Sequence, residues 1–160
     1  MFFTKSNNKF SVEQDVFASG ERLQIVSEYR YLGILIDSKL SFKSHVKKAC
    51  NIIKFNLSNF RHICHQMSTQ AAKTYMHSHV SYRLPISSQA SVTNLKPLQS
   101  LYKQTVKILD KKSNISHYCP ILQKYRLLSW ENMVKFSNLC LVYKIIHGLS
   151  SPPLHQFVNR

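Results

Sequence analysis

A chain of 160 residues, 44% of them apolar, is long enough for one ordinary domain with its own core and too apolar for wholesale disorder. It contains no run of 18 apolar residues, so no membrane-spanning helix is expected. Its net charge of +15, from 22 Lys and Arg against 7 Asp and Glu, points to a polyanionic partner, with nucleic acid first and an anionic membrane surface second. The plainer reading of that charge is a solvated basic surface inherited from a parent protein. Only 3 Gly and 5 Pro suit a mostly helical chain. The apolar run at Met1-Phe2-Phe3 is too short for a signal peptide. With neither leader nor span, the expected location is intracellular, nucleus and cytoplasm being indistinguishable. Cys50, Cys64, Cys119 and Cys140 are then expected to be reduced.

In chain order, Met1 to Thr4 reads as a strand remnant and Lys5 to Asn8 as a polar turn, with residues 1–20 expected to be loosely held. Arg22 to Val26 reads as a short strand that pairs with Tyr31 to Ile36. The stretch Tyr29 to Asp37 is rich in aromatic and β-branched residues and reads as one strand closing at Asp37-Ser38. A long helix should follow from Phe42 to Cys64 with Ser41 as its cap, because Phe42, Val46, Ala49, Ile53, Leu57, Phe60, Cys64 and Met67 recur at steps of three and four. A second helix starts after the cap Ser68 and runs through Val80. Pro85 interrupts, and 87–93 is a polar loop. A third helix spans Leu95 to Leu109 with Asn94 as cap, its apolar side formed by Leu98, Leu101, Tyr102, Thr105, Ile108 and Leu109. After a connector, a short helix at Pro120 to Tyr125 leads to the last long one, Trp130 to His147, capped by Ser129 and ended by Gly148. The fold class is therefore α+β and predominantly α-helical, a small N-terminal β-ribbon followed by four to five helices. The organisation expected is a ribbon over 1–40 and a helical region over 41–160.

The order Tyr29-x-Tyr31-Leu32-Gly33-Ile34-x-Ile36-Asp37-x-x-Leu40-Ser41-Phe42-x-x-His45-Val46 resembles the segment just past the catalytic palm in reverse transcriptases of LINE-type (non-LTR) retrotransposons. The likeness continues at Leu95 to Gln104, similar to the helix after that family's thumb, and at Leu127 to Asn132 and Leu141 to Leu149, similar to its closing helices. It covers about Lys9 to Phe157. The resemblance implies that the N-terminal ribbon corresponds to the primer-grip hairpin and the helices to thumb and post-thumb segments. The chain departs from the family where chemistry is concerned. Two-metal phosphoryl transfer needs a fixed carboxylate cluster, yet no Asp-Asp pair occurs, and Glu13-Gln14-Asp15 lies in a polar stretch. The expectation is a catalytically incompetent fragment of an RNA-directed DNA polymerase, not an enzyme, with no cofactor.

Of the constellations that could carry chemistry, the basic face of the first long helix, Lys43, Lys47, Lys48, Lys54 and Arg61, is the candidate nucleic-acid-binding site, directed weakly and non-specifically at RNA or DNA backbone. Lys103, Lys107, Lys111 and Lys112 form a weaker second patch. His62, Cys64 and His65 lack zinc-ligand spacing and would point around more than half a helix, so no metal site is assigned. No elbow or oxyanion loop accompanies any cysteine to make it a nucleophile. Trp130, Phe136 and Tyr143, interspersed with Val134, Leu139, Leu141, Ile145 and Ile146, read as core rather than as base-stacking groups. The competing functional readings are a helical protein-interaction module and an appendage to an unrelated enzyme.

Overall fold

The computed structural model describes residues 17–22, 24, 26–82, 84–110 and 117–149. The expected strand at Met1 to Thr4, the loosely held stretch up to residue 16, and Lys111 and Lys112 lie outside these residues. The chain is α+β and mostly helical, as its periodicities imply. It opens with two short antiparallel hairpins, β1 (Phe17–Ala18) with β2 (Glu21–Arg22), and β3 (Glu28–Tyr31) with β4 (Ile34–Asp37). Six helices follow: α1 (Lys43–Ile63), α2 (Thr69–Ser81), the single turn α3 (Leu84–Ser87), α4 (Val92–Leu109), α5 (Cys119–Tyr125) and α6 (Trp130–Ile146).

The ribbon differs from the sequence reading. Tyr29 to Asp37 is a hairpin and not one strand. Leu32 (φ 47°) and Gly33 (φ 84°) fold it back so that Tyr31 faces Ile34 and Glu28 faces Asp37. Two positive φ values in a two-residue loop match the right-handed twist of the flanking strands. Ser19 (φ 52°) and Gly20 (φ 84°) repeat the device, so Arg22 pairs with Phe17 and not with the 31–36 strand. Both ribbons are local, each strand pairing with its immediate neighbour.

Asp37 connects the second hairpin to α1. Its carboxylate accepts hydrogen bonds from the N–H groups of Lys39 (3.1 Å), Ser41 (3.0 Å) and Phe42 (2.8 Å) and from the Ser41 hydroxyl (3.0 Å). The Ser41 hydroxyl also accepts from the Lys43 N–H at 3.3 Å, so Ser41 serves the start of α1 as its type suggests, but Asp37 takes most of the junction's donors. The cap position falls on Phe42, in the left-handed region at φ 53°, with no side-chain cap of its own. Two carboxylate oxygens at a strand end reach more loop N–H groups than one serine hydroxyl can. A further tie runs from the Leu35 N–H to His45 Nδ1 at 3.4 Å.

The α1 stripe is buried as its spacing demands: Val46, Ala49, Ile53, Leu57 and Phe60 are in the core, with Cys50 beside them. α1 packs chiefly on α4, whose Leu98, Leu101, Tyr102, Thr105 and Val106 supply the opposing surface. α2 runs antiparallel to α1. Phe60 stacks on Tyr75 with centroids 5.4 Å apart, and Asn56 Nδ2 and His79 Nδ1 meet at 3.1 Å. Three serines cap helices through their hydroxyls. Ser68 accepts from Ala71 N–H and Ser129 from Asn132 N–H, both at expected positions. Ser91 accepts from Asn94 N–H, which starts α4 three residues earlier than the Asn94 cap would have done. Pro97 consequently sits inside α4 rather than in its first turn. Gly148 (φ 74°) closes α6 as expected. Its N–H reaches Ile145 C=O and the Leu149 N–H reaches Lys144 C=O, the double bond of a Schellman end.

The last long helix departs most from expectation. Only Trp130 and Met133 of α6 are buried. Phe136, Leu139, Leu141, Tyr143 and Ile146, read as core, are all exposed; among the described residues α6 packs chiefly on α3, and the Ser88 hydroxyl just beyond α3 donates to Asn138 Oδ1 at 3.0 Å. No helix among the described residues is long and apolar enough to cross a membrane.

Candidate nucleic-acid interface

The cationic groups of α1 sort by helical geometry. At 3.6 residues per turn, Lys43, Lys47, Lys54 and Arg61 fall within about 40° of one another and form a row about 27 Å long. All four are exposed. Lys48 stands about 100° round the helix from Lys47 and is half-buried, so it borders the row without joining it. The same shoulder carries Phe55, an aromatic ring 68% exposed one helical step after Lys54. The sequence reading passed over Phe55. Its signal was an aromatic lying off the apolar stripe, which nothing in the core needs.

The electrostatics of this face follow from composition. Every Lys, Arg, Asp or Glu from residue 38 to 109 is Lys or Arg, so no carboxylate on α1, α2 or α4 offsets the row. Asp37, just before α1, is already committed to the loop. Burial pushes its carboxyl upward, but the hydrogen bonds from Ser41, Phe42 and Lys39 outweigh that and hold it below the usual carboxylate range, so it stays ionised. Asp110 ends the carboxylate-free stretch, and its carboxylate accepts from Lys124 Nζ and from the Tyr125 hydroxyl (2.8 Å). In the second patch, Lys103 lies over the Tyr118 ring, 5.1 Å from its centre.

Nucleophilic chemistry has little footing here. Burial pushes the Cys50 thiol up, and the nearby Lys54 charge pulls it only part of the way back; a thiol so placed stays protonated at neutral pH. All four cysteines are free. His62 and His65 are exposed while Cys64 packs at the edge of the core. Among the described residues, no three His, Cys, Asp or Glu side chains converge as a metal would require. What the α1 face offers is an extended line of positive charge, on a helix with no carboxylate of its own, with hydroxyl and amide groups, Asn51 and Ser58, exposed alongside it. No family model, curated protein or solved structure matches this chain.

Proposed function

We propose that this chain is a non-catalytic nucleic-acid-binding module that holds the phosphate backbone along α1, related to the post-palm and thumb-like region of LINE-type reverse transcriptases that its sequence resembles. The observation that carries the reading is the exposed row of Lys43, Lys47, Lys54 and Arg61 on one side of a 21-residue helix that bears no carboxylate. Phosphate contacts of this kind fix orientation and carry no sequence information. Phe55 beside the row supplies a face on which an unpaired base can stack. Lacking an Asp-Asp pair, the chain should not extend a primer with magnesium or manganese.

The test is fluorescence anisotropy of labelled RNA and DNA over a salt series. Four neutralised phosphates give a slope of log affinity against log salt of about −3.6 on duplex DNA and about −2.8 on a single strand. Replacing Lys43, Lys47, Lys54 and Arg61 together by Gln should flatten the slope by that amount. Helicity should hold, since Gln ranks beside Lys and Arg as a helix former. Unchanged affinity and slope in the quadruple variant would refute the assignment.

A further inference from the structure

The apolar residues of α6 are spread around its whole circumference, interrupted by Glu131, Asn132, Lys135, Ser137, Asn138 and Lys144, and do not form one core-facing stripe. Here no described residue covers the outer side: Phe136, Leu139, Tyr143 and Ile146, at helical spacing, are each more than half exposed, between 56% and 66%. Exposed apolar surface that is contiguous marks an interaction site. The stripe borders a cavity of about 230 Å³ between α6, α3 and the end of α2, with Leu84, Met133, Cys140 and Leu141 in its wall and His77 and Lys144 among its polar groups. Phe136 belongs to both stripe and cavity, so the two are continuous. This volume is below the roughly 300–1,000 Å³ of small-molecule sites and suits one inserted side chain.

Charge decides the occupant. From residue 132 to 149 the chain has Lys135 and Lys144 and no Asp or Glu. Glu131, in the first turn, accepts a hydrogen bond from Gln99 (2.8 Å). A symmetric second copy would bring to the contact the same Lys135 and Lys144, with no Asp or Glu between residues 132 and 149 to meet them, in a chain already at +15. We infer that α6 and its cavity dock an amphipathic helix of a different protein, one whose apolar side covers the stripe, whose flanks carry Asp or Glu, and whose one bulky side chain fills the cavity.

The probe is a synthetic helical peptide with Leu and Phe at i, i+3, i+4 and i+7 and Glu on both flanks, titrated against the whole chain by anisotropy. A scrambled peptide of the same composition is the control. The striped peptide should bind at least tenfold tighter than the scrambled one, and Leu139→Asp should cost at least tenfold while leaving the circular dichroism unchanged. Lys135→Glu with Lys144→Glu keeps the stripe and should shift preference to a Lys-flanked copy of the peptide. Equal binding of the scrambled peptide, or full binding by Leu139→Asp, overturns the proposal. So does a wild-type dimer in sedimentation that Leu139→Asp dissolves, which makes the occupant a second copy. Retention on phosphatidylserine vesicles that is tighter than the peptide and lost in Leu139→Asp overturns it too, in favour of a membrane surface. The quadruple Gln variant of α1 should bind the peptide normally, so this surface and the α1 face stand or fall separately.

Discussion

Removing the Asp37 carboxylate should weaken the junction between the second hairpin and α1 by an amount the geometry allows one to estimate. Asp37→Ala takes the acceptor from three backbone N–H groups and one hydroxyl. The Lys39 N–H is on an exposed residue and is rehydrated at little cost, whereas Ser41 and Phe42 are half-buried. Loss of a helix cap costs about 0.5–2 kcal/mol, and a hydrogen bond to a charged group contributes about 1.5–3 kcal/mol before water takes its place. With two half-buried donors left unpaired, about 2 kcal/mol should be lost in Asp37→Ala. About half of that is expected in Asp37→Asn, which keeps an acceptor and loses the charge. For a chain of this size the alanine variant should melt about 4–8 °C lower. The effect should also depend on pH. The folded carboxyl titrates below its unfolded value, so its contribution is complete above about pH 4 and disappears as the pH falls through the lowered folded value. Urea titrations followed at 222 nm should show a constant gap between wild type and Asp37→Ala from pH 7 to 5, closing in more acid solution. An unchanged midpoint at pH 7, or a gap that persists undiminished in acid, would refute the role given to Asp37.

Tyr102→Phe should cost about 1 kcal/mol, because the buried phenol donates to Leu128 C=O at 2.5 Å and anchors the α5–α6 connection to α4. Burial, with a smaller push from Tyr118, raises that hydroxyl to about 12, so its contribution holds below pH 10 and fades toward pH 12; denaturation across that range should show the wild-type advantage shrinking. Leu32→Asn should stabilise the chain by about 0.5–1 kcal/mol, since an exposed leucine at φ 47° occupies a turn position that Asn adopts at lower cost; a loss in urea midpoint would contradict the turn assigned to Leu32-Gly33.

The helices could be read from the sequence because their determinants are local. The stripe from Val46 to Phe60 needs only periodicity, and Ser68, Ser129 and Gly148 act on N–H and C=O groups a few residues away. The second hairpin could not be read the same way. Its turn uses Leu32 in a left-handed conformation, and Gly33 alone announced it inside a run of strand-forming residues. Asn94 and Ser91 are equally good caps by type, and the turn that Ser91 adds, Val92 and Thr93, is exposed, so no apolar signal marked it. At the candidate interface, the 3.6 period aligns Lys43, Lys47, Lys54 and Arg61, but the half-burial of Lys48 depends on neighbours that the sequence does not name. The exposure of α6 was the least legible. A helix with apolar residues on every side reports that it can be buried, not that the rest of the fold has surface to spare for it.

The carboxylate-free stretch from 38 to 109 also gives dissolved salt two opposite effects on this molecule. Added ions compete for the phosphates that the α1 row would hold, so binding weakens as ionic strength rises. The same ions should screen the repulsion among the exposed Lys43, Lys47, Lys54 and Arg61 of one helix face, so the folded chain should tighten. On the proposed reading, a decline in affinity with salt should not be laid to unfolding, because screening is expected to firm the fold while it weakens the complex.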